Sequence, residues 1–197
     1  MEKKQSAKLC WVDNQITMSN QIREASIRVF FALWPDDAER TALAAWQPKL
    51  HKLCGGRSMR TDTLHATLLF LGDVVLHRLE ALQLAAQEVE VAFFDLAFDV
   101  AHCWGHNHIV LAAPHIVPPQ LVQLVQILEQ RLIKHRFHFD QRPYKPHITL
   151  LRHAQWSGAS LPEMQRVVWR IRDFALVQSA LDEEGANYRV LARFPLR

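Results

Sequence analysis

Two short stretches of this chain carry residue types suited to proton chemistry. "LHATLLFLG" (Leu64 to Gly72) and "KPHITLLRH" (Lys145 to His153) each place a histidine and a threonine two positions apart, with leucine next. Side chains on an extended strand alternate between faces, so His65 and Thr67 share a face, as do His147 and Thr149. The opposite face takes Leu64, Ala66, Leu68 and Phe70 in the first stretch, and Ile148 and Leu150 in the second. Leu69, Leu71 and Leu151 then fall on the histidine face, which begins polar and ends apolar. A lone strand histidine is more often packed than catalytic, and a strand threonine is commonplace. Two HxTL matches carry more weight: with this composition, chance gives such a pair in about one chain in a thousand.

Two imidazoles facing one cleft suit a reaction in which one proton is removed as another is delivered, since each titrates near neutrality. Two hydroxyls beside them can donate to a pair of anionic oxygens. A phosphodiester supplies that pair, and in-line substitution at phosphorus puts the attacking and departing oxygens on opposite sides. The chain has no nucleophile elbow, GxGxxG, Walker loop or CxxC pair.

The elements that must hold these residues follow from pattern. "SIRVFFALW" (26–34) reads as a β-branched and aromatic strand stopped by Pro35. "DDAERTALAAWQPKL" reads as one helix capped by Asp36, and "LHRLEALQLAAQEVE" as a second with Leu79, Leu82, Ala86 and Val89 on one stripe. "FFDLAFDVAHCW" and "HIVLAAP" read as two strands of a hairpin turning near Gly105-His106-Asn107. A helix entered through Pro118 and Pro119 aligns Leu121, Leu124, Val125, Leu128 and Leu132. "QRVVWRIRDFALVQS" and "NYRVLARFPL" read as the last two strands, and Gly72-Asp73 as the end of the His65 strand. His147 lies 82 residues after His65, a spacing that suits two similar lobes arising from one duplication.

Residues 1–25 are polar and aperiodic and read as a flexible extension, with Met18 as an alternative start; residues 26–197 read as one domain of two lobes. There is no apolar run near membrane-spanning length and no secretory leader pattern, so cytoplasm is the expected location. Cys10, Cys54 and Cys103 are odd in number and widely spaced, and read as reduced thiols. The formal charge of +3 is compatible with an anionic partner without requiring one.

These residues carry a family resemblance. The two HxT stretches resemble those of the 2H phosphoesterases, and "RPYKPHITLLR" is similar to the second motif of the bacterial RNA 2′,3′-cyclic phosphodiesterases, also called 2′-5′ RNA ligases. The ending "SALDEEGANYRVLARFPL", with Ser179, Leu181, Gly185 and Tyr188, is similar to that branch too. Ala66, where the family usually has a larger aliphatic, and the N-terminal stretch are departures. The resemblance implies an α+β bilobal fold, with two antiparallel sheets lining a central cleft and helices outside. It implies that a terminal 2′,3′-cyclic phosphate is opened to a 2′-phosphate without metal or cofactor, with possible reversible 2′-5′ ligation. His65 would be the proton donor, His147 the proton acceptor, and Thr67 and Thr149 the phosphate holders. Alternation alone points Arg152 away from His147; the resemblance adds it to the phosphate site. Implied partners are RNA ends such as tRNA halves, oligonucleotides bearing a cyclic phosphate, or small cyclic nucleotides, met by a monomer away from membranes. The alternative is a nucleotide- or RNA-binding module using the same pocket without turnover.

Other candidates stand beside plainer readings. His102, Cys103, His106 and His108 have metal-like residue types, but a tight hairpin and the lack of a well-spaced fourth ligand argue against a metal site. Phe137, Phe139 or Tyr144 could stack a base, with Arg136, Arg142 or Lys145 on phosphate; core phenylalanines and solvated charges explain them equally well. Arg57 and Arg60, in the loop before the first motif, could contact RNA backbone.

Overall fold

The computed structural model describes residues 24–156, 158, 160–182 and 185–197. In order these form β1 (Ser26–Leu33), α1 (Asp37–Ala44), α2 (Gln47–Cys54), β2 (Arg57–Ser58), β3 (Ala66–Val75), α3 (Leu79–Gln87) and β4 (Phe94–Phe98). They continue with β5 (Val100–Trp104), β6 (Ile109–Ala113), α4 (Pro119–Lys134), β7 (Ile148–Arg152), β8 (Val167–Ile171), β9 (Asp173–Asp182) and β10 (Gly185–Pro195). One antiparallel sheet has the order β10-β9-β1-β3 and a second β2-β7-β6-β5, while β4 and β8 pair separately. The fold is therefore α+β, with one motif strand in each four-stranded sheet.

The sequence accounts for much of this locally. β1 buries five consecutive residues, Val29 to Leu33, as a strand covered on both faces must. Asp36 caps α1: its carboxylate accepts the Ala38 and Glu39 N–H groups, while Glu39 accepts the Asp36 N–H in return. The single helix expected here is two. α1 ends at Ala44 and α2 carries Pro48 in its first turn, because a proline has no N–H for the carbonyl four residues back. α4 buries the five residues of its predicted stripe.

Two expected strands are likewise divided. Residues 93–104 supply β4 and β5, which pair with β8 and β6 respectively. Residues 165–179 supply β8 and β9, which pair with β4 and β1. Asp99 marks the first break and accepts the His115 N–H; Arg172 marks the second, where its carbonyl accepts the Leu196 N–H. Alternating apolar residues run straight through Asp99, so periodicity could not reveal that strand changing sheets; at the second break Arg172 and Asp173 are two polar residues in succession, and the alternation restarts out of phase at Phe174. β3 also runs on past Gly72 to Val75, since Gly72 (φ 76°) sits at a bulge and does not end the strand.

Both sheets share one hydrophobic core with α1, α2, α3 and α4. Of the N-terminal stretch, residues 1–23 lie outside the described residues. The Ala25 carbonyl accepts the Leu76 N–H. No helix among the described residues is long and apolar enough to cross a membrane. Cys54 and Cys103 are free thiols, and burial raises the pKa of both.

Candidate active site

Both histidines sit one residue before their strands, at corresponding places in the two sheets. Each is tethered alike: His65 Nδ1 lies 2.7 Å from the Thr63 carbonyl, and His147 Nδ1 2.7 Å from the Lys145 carbonyl. A carbonyl only accepts, so in both rings Nδ1 carries the hydrogen and donates it. That leaves Nε2 as the titrating nitrogen and fixes the tautomer of each neutral imidazole.

The leucines of the two motifs resolve the position of Arg152. In the β6–β7 pairing, Leu111 faces Thr149 and Val110 faces Leu151, so Leu150 is an inserted bulge residue. β3 repeats this: Ala32 faces Thr67 and Phe31 faces Leu69, leaving Leu68 inserted. Each bulge resets the alternation by one residue. Leu68, Leu69, Leu150 and Leu151 all enter the core, and the residue five after each histidine returns to the cleft. That residue is Phe70 on β3 and Arg152 on β7. Strict alternation had placed Phe70, like Arg152, away from the cleft, and Leu69 and Leu151 on it; the bulges reverse all four.

A cavity of about 240 Å³ results, lined by His65, Thr67, Phe70, His147, Thr149 and Arg152, with Phe30, Met59, Thr63, Ser179 and Tyr188 completing the wall. Sequence reasoning had Ser179 and Tyr188 only as part of the C-terminal resemblance, and it missed Phe30, Met59 and Thr63, whose apolar or loop settings give no chemical signal.

Gln47 is another residue the sequence did not single out. This buried amide donates to the Leu150 carbonyl at the bulge (3.1 Å) and to the Met59 carbonyl (2.8 Å). The Met59 N–H donates to the same Leu150 carbonyl at 2.9 Å. Next to it, Gly56 (φ 86°) packs so closely on β7 that an added Cβ would lie 2.5 Å from the Arg152 carbonyl, so glycine is required there. Gln47→Leu is expected to cost about 1–3 kcal/mol in urea unfolding, because the buried Leu150 carbonyl and the half-buried Met59 carbonyl both lose their side-chain donor.

Electrostatics disfavour protonation of both imidazoles in the free protein. His65 is lowered to about 4, chiefly by burial, with the positive charges of His147, Arg152 and Arg40 adding; its bond to the Thr63 carbonyl works the other way. His147 is lowered too, by burial and then Arg152, against the bond to the Lys145 carbonyl. A His65 pKa below that of the unfolded chain leaves stability intact above about pH 6.5 and withdraws it as pH falls towards 4. Relative to His65→Gln, the wild type is expected to lose up to about 3 kcal/mol between pH 7 and pH 4. Urea unfolding of the two proteins across that range checks this, and equal slopes would contradict it.

The other candidates divide. Phe137 is buried beneath the Arg78 guanidinium, and Phe139, half-buried against the core, lines neither the cleft nor its extensions. Arg136 is exposed and lines neither the cleft nor its extensions. Tyr144, Arg142 and Lys145 line an adjoining cavity of about 580 Å³ with Trp104 and Phe70; Arg142 is held by Asp140. Arg57 and Arg60 line a smaller one of about 110 Å³ with Arg152 and Tyr188, and Arg60 is paired with Asp62 at 2.7 Å. Among the described residues no group of three or more His, Cys, Asp or Glu is gathered as a metal would need, and His102, His106 and His108 are exposed.

Two HxT strands set alike in two antiparallel sheets, with both histidines on one cavity, define a 2H phosphoesterase. The chain belongs to the 2′-5′ RNA ligase superfamily, whose family model matches residues 34–183. It is 30% identical over 169 residues to the RNA 2′,3′-cyclic phosphodiesterase of Escherichia coli (strain K12), covering 86% of this chain and 96% of that protein. To the RNA 2′,3′-cyclic phosphodiesterase of Thermus thermophilus it is 27% identical over 183 residues, covering 87% and 91%. The crystal structure of E. coli LigT complexed with 3′-AMP superposes with a TM-score of 0.80 at 29% identity, over 87% of this chain and 99% of that one.

Proposed function

We propose that this protein is an RNA 2′,3′-cyclic phosphodiesterase that opens a terminal 2′,3′-cyclic phosphate to a 2′-phosphate by two-histidine acid–base catalysis. The observation that carries the reading is the convergence of both HxT pairs and Arg152 on one cavity. The names of the relatives and the 3′-AMP held by the structural neighbour support it.

In this mechanism Thr67, Thr149 and Arg152 hold the non-bridging phosphoryl oxygens. Neutral His147 takes a proton from water through Nε2 as the water oxygen attacks phosphorus. The P–O3′ bond breaks on the opposite side, and protonated His65 delivers a proton to the departing 3′-oxygen. The new P–O bond replaces the one lost, and the 2′-ester remains. The anionic substrate reverses the electrostatics of the free site: its charge offsets Arg152 and raises the proton affinity of both rings. Attack by a 5′-hydroxyl in place of water gives a 2′-5′ linkage, so ligation uses the same groups.

RNA ends bearing a cyclic phosphate, including tRNA halves, and small cyclic nucleotides are the substrates this reading implies, with cytoplasm as their setting. The adjoining cavity beside Phe70 and Trp104 is large enough for a nucleoside. One chain supplies both histidines and both threonines, so the mechanism works in a monomer. The imidazoles move the protons and Arg152 supplies positive charge, so turnover of a 2′,3′-cyclic nucleotide is expected to persist in EDTA. Loss in EDTA with recovery on adding a divalent ion would overturn the metal-free mechanism.

A further inference from the structure

Each site histidine has a tryptophan against it and a cation beyond the tryptophan, but the two arrangements differ. His147 lies beside Trp104 (4.6 Å between ring centres, 54°), with Lys145 Nζ 6.0 Å from the Trp104 ring. His65 is stacked on Trp34 (5.3 Å, 21°), whose ring lies 5.1 Å from the Arg40 guanidinium carbon. Phe30 and Tyr188 close on His65 from two further sides, each at 5.0 Å.

Arg40 is the anomaly. Its side chain is only 12% exposed, and its Nε and Nη2 are buried without a hydrogen-bond partner among the described residues. Among the described residues it makes an ion pair only with Asp37, at 3.3 Å, using Nη1 and a carboxylate fully open to water. Burying a guanidinium with two nitrogens unsatisfied is costly, and that outward pair offsets little of it. Helix α1 does not need it, because Asp36 and Glu39 already cap that end.

We propose that Arg40, acting through the Trp34 ring, is a positioning residue for His65: it holds the tryptophan flat against the imidazole and keeps a fixed positive charge behind it. The charged and titratable groups facing His65 are then Arg40 from α1, His147 and Arg152 from β7 and the residue before it, and Tyr188 from β10. Arg40, Arg152 and, when it is protonated, His147 oppose protonation of His65, and of these Arg40 alone lies outside the cavity that receives substrate. Substrate charge offsets Arg152 directly, whereas Arg40 goes on opposing the proton on His65 throughout the reaction. A proton held weakly is surrendered readily to the departing oxygen.

This inference rests on His65 being the acid, and the test separates the two. The His65 ring is followed by NMR titration in phosphate-free buffer, assigned by its loss in His65→Gln, beside the pH dependence of kcat for 2′,3′-cyclic AMP. In Arg40→Met the His65 midpoint and the basic limb of kcat should both rise by roughly half a pH unit or more. Arg40→Lys should restore much of the wild-type midpoint. A raised midpoint with a shift of the acidic limb instead would uphold the role of Arg40 and reverse that of His65. An unmoved midpoint in folded Arg40→Met would overturn the inference. Should that variant fail to fold, Trp34→Leu asks the same question, because water reaching the ring eases its charging. An unmoved midpoint there is equally fatal.

Discussion

Alanine at His65 or at His147 is expected to lower kcat for a 2′,3′-cyclic nucleotide by roughly two to four orders of magnitude, since each removes a proton transfer made in the transition state. KM should change far less, because in the proposed mechanism Thr67, Thr149 and Arg152 would still hold the phosphoryl oxygens. The double variant should be little worse than either single one: once one transfer is lost, the other has no concerted step left to serve. His65→Ala should be partly rescued by a substrate whose leaving oxygen needs no proton, and His147→Ala should not. Steady-state kinetics of the three variants decide this, and near-wild-type turnover in either single variant would refute the assignment.

Arg152→Met is expected to reduce kcat/KM by roughly 10²–10³, the usual effect of removing a donor aimed at developing charge in an enclosed site. It has a second signature. The guanidinium opposes protonation of both histidines, so its loss should move both limbs of the free-enzyme pH profile to higher pH. Arg152→Lys should keep the limbs near their wild-type positions, since the charge remains, while losing part of the rate with the planar fork. A change in KM alone, with limbs unmoved, would place Arg152 at the mouth of the cleft and away from the phosphorus.

The histidines and threonines were legible in the sequence because their signal is local: an imidazole and a hydroxyl on one strand face, twice, at corresponding places. Arg152 was not legible from alternation, because alternation assumes an unbroken ladder. The clue was nevertheless present. The doubled leucines Leu68-Leu69 and Leu150-Leu151 are the residues whose side chains both enter the core at a bulge. A pair of consecutive apolar residues in an otherwise alternating strand is how such a bulge shows in sequence. Gln47 was invisible for another reason. It lies 103 residues from the carbonyl it supports, and a helix-start glutamine is ordinarily solvated. The divided strand at Asp99 was also hidden, since the choice of sheet partner is made by tertiary packing, which strand periodicity does not record; the division at Arg172 does show, as two successive polar residues that shift the phase of the alternation. Asp36, Pro48 and the α4 stripe lie at the other extreme, where capping and periodicity act within a few residues.

Two imidazoles acting as acid and base on one phosphorus would be read in the pH dependence of kcat/KM for a 2′,3′-cyclic nucleotide. The wild-type profile should be bell-shaped and centred below pH 6.5, because both rings are lowered in the free enzyme and the proposed mechanism needs His65 charged and His147 neutral. His147→Ala should lose the acidic limb and His65→Ala the basic limb. Exchanged limbs would keep the site and reverse the two roles. A variant that retains both limbs would show that the missing histidine was never the group being titrated, and would refute acid–base catalysis by this pair.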